Sequence, residues 1–98
     1  MMNREMRESF ASVEREIHEG IRDAKLRAVA IMVNDMAAGT VELTVAGMCD
    51  PKIAEHALSQ SRTMITVIVG IDCGLSIEEL RANNKLALDE ALNMFSGN

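Results

Sequence analysis

Cys49 and Cys73 are the residues whose type and setting come nearest to chemistry in this 98-residue chain. A short repeat relates them: Val45, Cys49, Ile53 and Glu55 recur 24 residues on as Val69, Cys73, Ile77 and Glu79. Each cysteine also has an aspartate beside it, Asp50 and Asp72. If each cysteine follows a strand and precedes a helix, parallel strands would place all four residues outside the strand carboxyl ends. Ligands bind there in open α/β sheets. The cluster would then be a thiol or metal site.

The donor set argues against that chemistry. There is no C-x-x-C pair, and two thiols with two carboxylates is an unusual set for structural zinc. Asp50 is already accounted for as the cap of a helix opened by Pro51. The run Gly70-Ile71-Asp72-Cys73-Gly74 is too short and too acidic for a phosphate loop, and no G-x-S-x-G or H-E-x-x-H occurs. The carboxylates sit at helix starts or in solvated i,i+4 settings, so no tuned acid–base pair stands out. His18 lies near a helix end and His56 beside an apolar stripe, where neither needs a ligand to explain it. No cofactor and no catalytic residue are expected. Cys49, Cys73, Asp50 and Asp72 remain the candidates for a metal or small-ligand site.

Composition narrows the function classes further. A net charge of −5 argues against nucleic-acid binding, and the absence of Trp and Tyr removes stacking platforms. The 48% hydrophobic and 26% charged balance is that of a soluble globular protein. The charged start MMNREMRESF lacks the apolar core of a secretory signal. The apolar segment Thr63–Leu75 is too short to span a bilayer. A cytoplasmic, membrane-free location with reduced thiols follows as the expectation. Eight methionines exceed ordinary usage. They fit adaptable core packing, with Met32 and Met64 as examples, and also the surfaces of promiscuous binders.

The elements that would position these residues are read from periodicity. Asn3–Glu19 reads as a helix with a narrow stripe of Met6, Phe10, Val13 and Ile17, ended by Gly20. Lys25–Val33 has two readings. As a strand it alternates Val29, Ile31 and Val33 against Ala28, Ala30 and Met32. As a helix it continues the three-four spacing to Gly39, but is apolar on nearly every side and hard to bury. The strand is preferred. Thr40–Ala46 alternates as a strand with one wet face. Asp50-Pro51 opens a helix closed by SQSR at residues 59–62, and Met64–Val69 reads as a buried strand bounded by Gly70. Ser76 and Glu79 form a capping box, stapled by Leu75 and Leu80, for a helix running to about Phe95. Its stripe is Ile77, Leu80, Asn84, Leu88, Ala91, Leu92 and Phe95.

The expected architecture is a single α/β domain over residues 1–98, of the α+β type: an N-terminal helix over 1–20 and an α/β core over 25–95. Elements run α-β-β-α-β-α. A three-stranded mixed sheet with a split β-α-β unit is packed by three helices. The alternative is a long N-terminal helix with a two-stranded βαβ unit completed by dimerisation. Met64–Val69 lies at a sheet edge in the first case, and an apolar edge invites a partner. The expected function is therefore a non-catalytic, acidic protein-binding module: an adaptor, regulatory or inhibitor subunit acting as a homodimer or on a larger protein. Met64, Thr66 and Ile68 on the edge, with Met6, Phe10, Val13 and Ile17, would form the interface. The alternative is a small-ligand or metal-binding domain, or an enzyme, using the loop ends at Cys49 and Cys73.

Overall fold

Short polar side chains set where the helices begin. Asn3 Oδ1 accepts from the Met6 amide at 2.9 Å, Asp23 Oδ1 from the Lys25 and Leu26 amides at 2.9 Å each, and Asp50 Oδ1 from the Lys52 amide at 2.8 Å. Each side chain satisfies amides that have no partner in the first helical turn. They open α1 (Arg4–Gly20), α2 (Ala24–Val45) and α3 (Pro51–Asp72). These are seen in a computed structural model that describes residues 3–76, 78–80 and 82.

Two glycines set where the longer helices stop. Gly47 and Gly74 have φ of 77° and 84°, a left-handed conformation that costs other residues strain. Past them, the Met48 amide donates to the Leu43 carbonyl at 2.9 Å and the Leu75 amide to the Gly70 carbonyl at 3.0 Å. Both ends are Schellman turns. Of the capping box expected at Ser76, the serine half forms, and the glutamate side chain pairs with the serine hydroxyl instead of its amide. The Glu79 amide donates to Ser76 Oγ at 3.1 Å, that hydroxyl donates to Glu79 Oε1 at 3.2 Å, and residues 78–80 and 82 are helical. The expected continuation to Phe95 lies outside the described residues.

The α/β expectation is overturned. Helix covers 83% of the described residues, and none of them is in a strand. Lys25–Val33 and Thr40–Ala46, both expected as strands, belong to the continuous helix α2 except for Ala46, its C-cap. Met64–Val69 is the C-terminal part of α3, which does not stop at SQSR. The three-stranded sheet, the split β-α-β unit, the α-β-β-α-β-α order and the two-stranded alternative all fall with these segments. The core expected over 25–95 consists of helices and the turns that join them wherever it is described.

The physical reason is tertiary packing that overrides residue preference. Ala54, Ser61, Met64, Val67, Ile68 and Gly70 are the buried positions along α3, a helical spacing that the β-branched run continues rather than breaks. Ala30, Val33, Ala37 and Val41 do the same in α2. The threonines are accommodated by bonding backward. Thr40 Oγ1 donates to Met36 O at 3.0 Å, Thr44 Oγ1 to Thr40 O at 3.0 Å and Thr66 Oγ1 to Arg62 O at 2.8 Å.

The helices run up, down and up, with α2 between the other two. Asn34 Nδ2 donates to the Phe10 carbonyl of α1 at 3.1 Å, a bond that lets a buried amide sit within the bundle. Ile17 and Ile21 pack with Ala30 of α2 and Ile68 of α3. Val33 of α2 packs with Met64 and Val67 of α3 and with Leu80. Fully burying side chains of this size is worth about 1.5–3 kcal/mol each. Gly70 lets Leu80 come close, because a Cβ at that position would overlap Leu80 Cδ2.

α2 is the costly element of this arrangement. It is apolar on nearly all sides, as its helical reading implies, and two neighbouring helices cannot cover it. Met36 is 67% exposed, Met32 56% and Leu43 48%. Among the described residues α2 is also the one helix long and apolar enough to cross a membrane, and only 28% of its most apolar window is buried. That length and composition are shared by core helices of soluble proteins.

Candidate functional site

The four loop-end candidates are not brought together. Asp50 caps the N-terminus of α3 and Cys49 precedes it, whereas Asp72 is the last residue of α3 and Cys73 its C-cap. A 22-residue helix separates the pairs by about 33 Å. The 24-residue repeat is not a structural repeat either. Cys49 lies between a turn glycine and a helix cap, while Cys73 precedes its turn glycine. No three His, Cys, Asp or Glu side chains among the described residues are placed to hold a metal ion.

Both aspartates have structural partners instead. Asp50 is the helix cap that its position before Pro51 predicts. Asp72 reaches across to the turn between α1 and α2. Its Oδ2 accepts from the Arg22 amide and its Oδ1 from the Asp23 amide, each at 2.9 Å. These two bonds, Arg22's first, hold the Asp72 carboxyl below its ordinary 3.8; burial opposes them and the Arg22 and Arg27 charges add to them. Asp72 thus ties the C-terminal end of α3 to the start of α2. Its partners lie about fifty positions away in sequence, so no local motif announces the contact.

The expected interface residues divide into three groups. Ile17 and Ile68 are buried in the core away from any surface, and Met64, also buried, reaches only the wall of a groove between α2 and α3. Thr66 is exposed on α3. Met6, Phe10 and Val13 line a groove of about 200 Å³ where α1 meets α2 and α3, facing Val41, Leu58 and Ile65. Without a strand at Met64–Val69, the edge that motivated homodimerisation does not exist.

A second groove is the more apolar feature, and no motif pointed to it. It lies between α2 and α3 with a volume of about 260 Å³. Met32, Met36 and Thr40 line it from α2, and Ala57, Gln60 and Met64 from α3. Val29 and the buried Val33, Ala37 and Ser61 also line it. Small residues on the α3 side leave the hollow, and two exposed methionines form its rim. Met32, expected in the core, is part of that rim. Two sequence signals could have found the groove: the methionine excess, and the difficulty of burying a helix apolar on every side. Gln60 brings polarity to the wall, and a bond of 2.7 Å links its Nε2 to the His56 ring one turn back.

None of the residues that line this groove carries a titratable side chain. It offers apolar area, polarisable thioethers and a hollow whose length follows two helices. Its chemistry is shape and desolvation. No protein-family model, no curated protein and no solved structure matches the chain.

Proposed function

We propose that this protein is a non-catalytic, helical protein-binding module whose α2–α3 groove receives an amphipathic helix. The observation that carries the reading is the pairing of an apolar hollow with a flexible rim. The groove of about 260 Å³ runs between two helices, and Met32 and Met36 stand exposed at its edge. A helix laid into such a groove buries its apolar face and is read through anchors at i, i+3 or i+4, and i+7. Methionine rims adapt to anchors of different shape. An exposed contiguous apolar surface in a charged chain is itself a mark of an interaction site.

The competing proposal of a small-ligand or metal site at the loop ends has lost its geometry with the separation of Cys49 from Cys73. The test is a library of helical peptides selected on the full chain. Selected peptides should carry apolar residues at helical spacing. They should lose at least about tenfold in affinity, roughly 1.4 kcal/mol, when Ala57→Glu closes the groove. They should bind the Cys49→Ser/Cys73→Ser protein unchanged. Peptides indifferent to Ala57→Glu, or dependent on the cysteines, would reject the proposal.

A further inference from the structure

We infer that the helix received by the α2–α3 groove is α2 of a second copy of this chain, so that two copies close face to face about a twofold axis; this names the partner of the groove reading above and rests on it. The hollow and a helix fit to fill it lie side by side on one face. Met32, Met36, Gly39 and Leu43 are all exposed on α2 and stand four, three and four residues apart. That is the spacing of a seam by which one helix packs on another. Met32 and Met36 are at the same time the rim of the groove. A surface that carries both the hollow and the ridge is self-complementary, and a twofold axis lets each copy fill the other.

The seam sets the register. In an antiparallel pair of α2 helices, all four seam residues are matched only when Met32 stands beside Leu43 of the partner subunit. Met36 then falls beside the partner subunit's Gly39, where its flexible thioether has room. The two copies of Met36 flank the axis, offset along the helices by three residues, about 4.5 Å. The charged residues of α2 are Lys25, Arg27, Asp35 and Glu42, and none falls on the seam.

The face is also large enough. The 22 residues of α2 make a helix about 33 Å long. A face of that length and two helices wide, each about 10 Å across, measures roughly 660 Å². A standard interface takes about 800 Å² from each partner. Ile53, 56% exposed one turn before Ala57 on α3, extends the apolar wall toward that figure. Two helices from each copy then form a four-helix bundle, and α2 gains the further neighbour that its composition demands.

The experiment measures the mass of the full chain by light scattering across the micromolar range. The wild type should reach twice its 10.7 kDa. Met36→Glu and Met36→Lys should each weaken association at least about tenfold. An equimolar mixture of the two should restore it, because position 36 lies near its own copy across the axis. Met36 is 67% exposed, so both variants should keep their helical circular dichroism. Ala57→Glu, which closes the groove, should weaken association as well, and Ala11→Glu, on the exposed side of α1, should leave it unchanged. A monomeric wild type would overturn the inference, and selected peptides that still depended on Ala57 would then leave the groove reading standing with another helix as its occupant. A dimer that survives Met36→Glu or Ala57→Glu would overturn it too, as would Met36 variants that stay apart when mixed.

Discussion

Gly39 and Gly70 both lie inside helices, yet alanine should act on them in opposite directions. In a helix interior glycine costs about 0.8–1 kcal/mol relative to alanine. At Gly39, in α2, a new Cβ meets nothing within 4 Å. Gly39→Ala should therefore return most of that amount, with a rise in Tm of roughly 4–8 °C per kcal/mol for a domain of this size. At Gly70, in α3, the new Cβ would overlap Leu80 Cδ2 and lie 3.5 Å from Leu75 Cδ1. Leu80 is buried among Val33, Met64 and Val67 and has little room to withdraw. Overpacking of this kind costs about 1–3 kcal/mol. The propensity gain offsets at most the lower end, so Gly70→Ala should be neutral to about 2 kcal/mol destabilising. Leu80→Ala alone should cost about 2–5 kcal/mol, and in that background Gly70→Ala should turn stabilising. Urea titrations of the wild type, the three single variants and the Gly70→Ala/Leu80→Ala double variant, followed by circular dichroism, measure these effects. A Gly39→Ala protein less stable than wild type would refute the continuous α2 helix, because that result belongs to a glycine in a turn. A Gly70→Ala protein as stabilised as Gly39→Ala would refute the Leu80 packing.

Three further outcomes follow from the bundle. Asp72→Asn should destabilise the protein at pH 7 by weakening the clasp on the Arg22 and Asp23 amides. Because folding lowers the Asp72 pKa, that stability is present above the unfolded value near 3.8 and is lost as pH falls through the lower folded one. Melts of wild type and Asp72→Asn should thus converge as the pH falls below the ordinary carboxylate range, and a constant difference across pH would contradict the carboxylate's role. Ile68→Asp should unfold the chain rather than merely change its association, since Ile68 is 2% exposed and burying an unpaired charge costs several kcal/mol. A folded Ile68→Asp protein by circular dichroism would return that residue to the surface. Cys49→Ser/Cys73→Ser should leave the Tm within about 1–2 °C and zinc titration heats unchanged, as two thiols about 33 Å apart share no ion. A metal-dependent rise in Tm that the double variant abolishes would contradict their separation.

What the sequence determined by itself was local. Asn3, Asp50 with Pro51, and the Ser76–Glu79 box were legible as helix starts because a cap acts on amides two or three residues away. Gly20 marked the end of α1 in the same way. Asp23 carried an equally local signal, two residues before the Lys25 amide it accepts from, and reading it would have favoured the helix over the strand at Lys25–Val33. The tertiary structure decided what becomes of Thr40–Val45 and Met64–Val69. Their β-branched residues suit a pleated ribbon, but helix preferences differ by only tenths of a kcal/mol per residue. Burying Val41, Met64, Val67 and Ile68 against neighbouring helices outweighs that difference several-fold. It also decided that Asp72 would be a clasp and that the space between α2 and α3 would stand open. Both depend on residues far apart in the chain, which helix packing brings together and spacing along the sequence does not reveal.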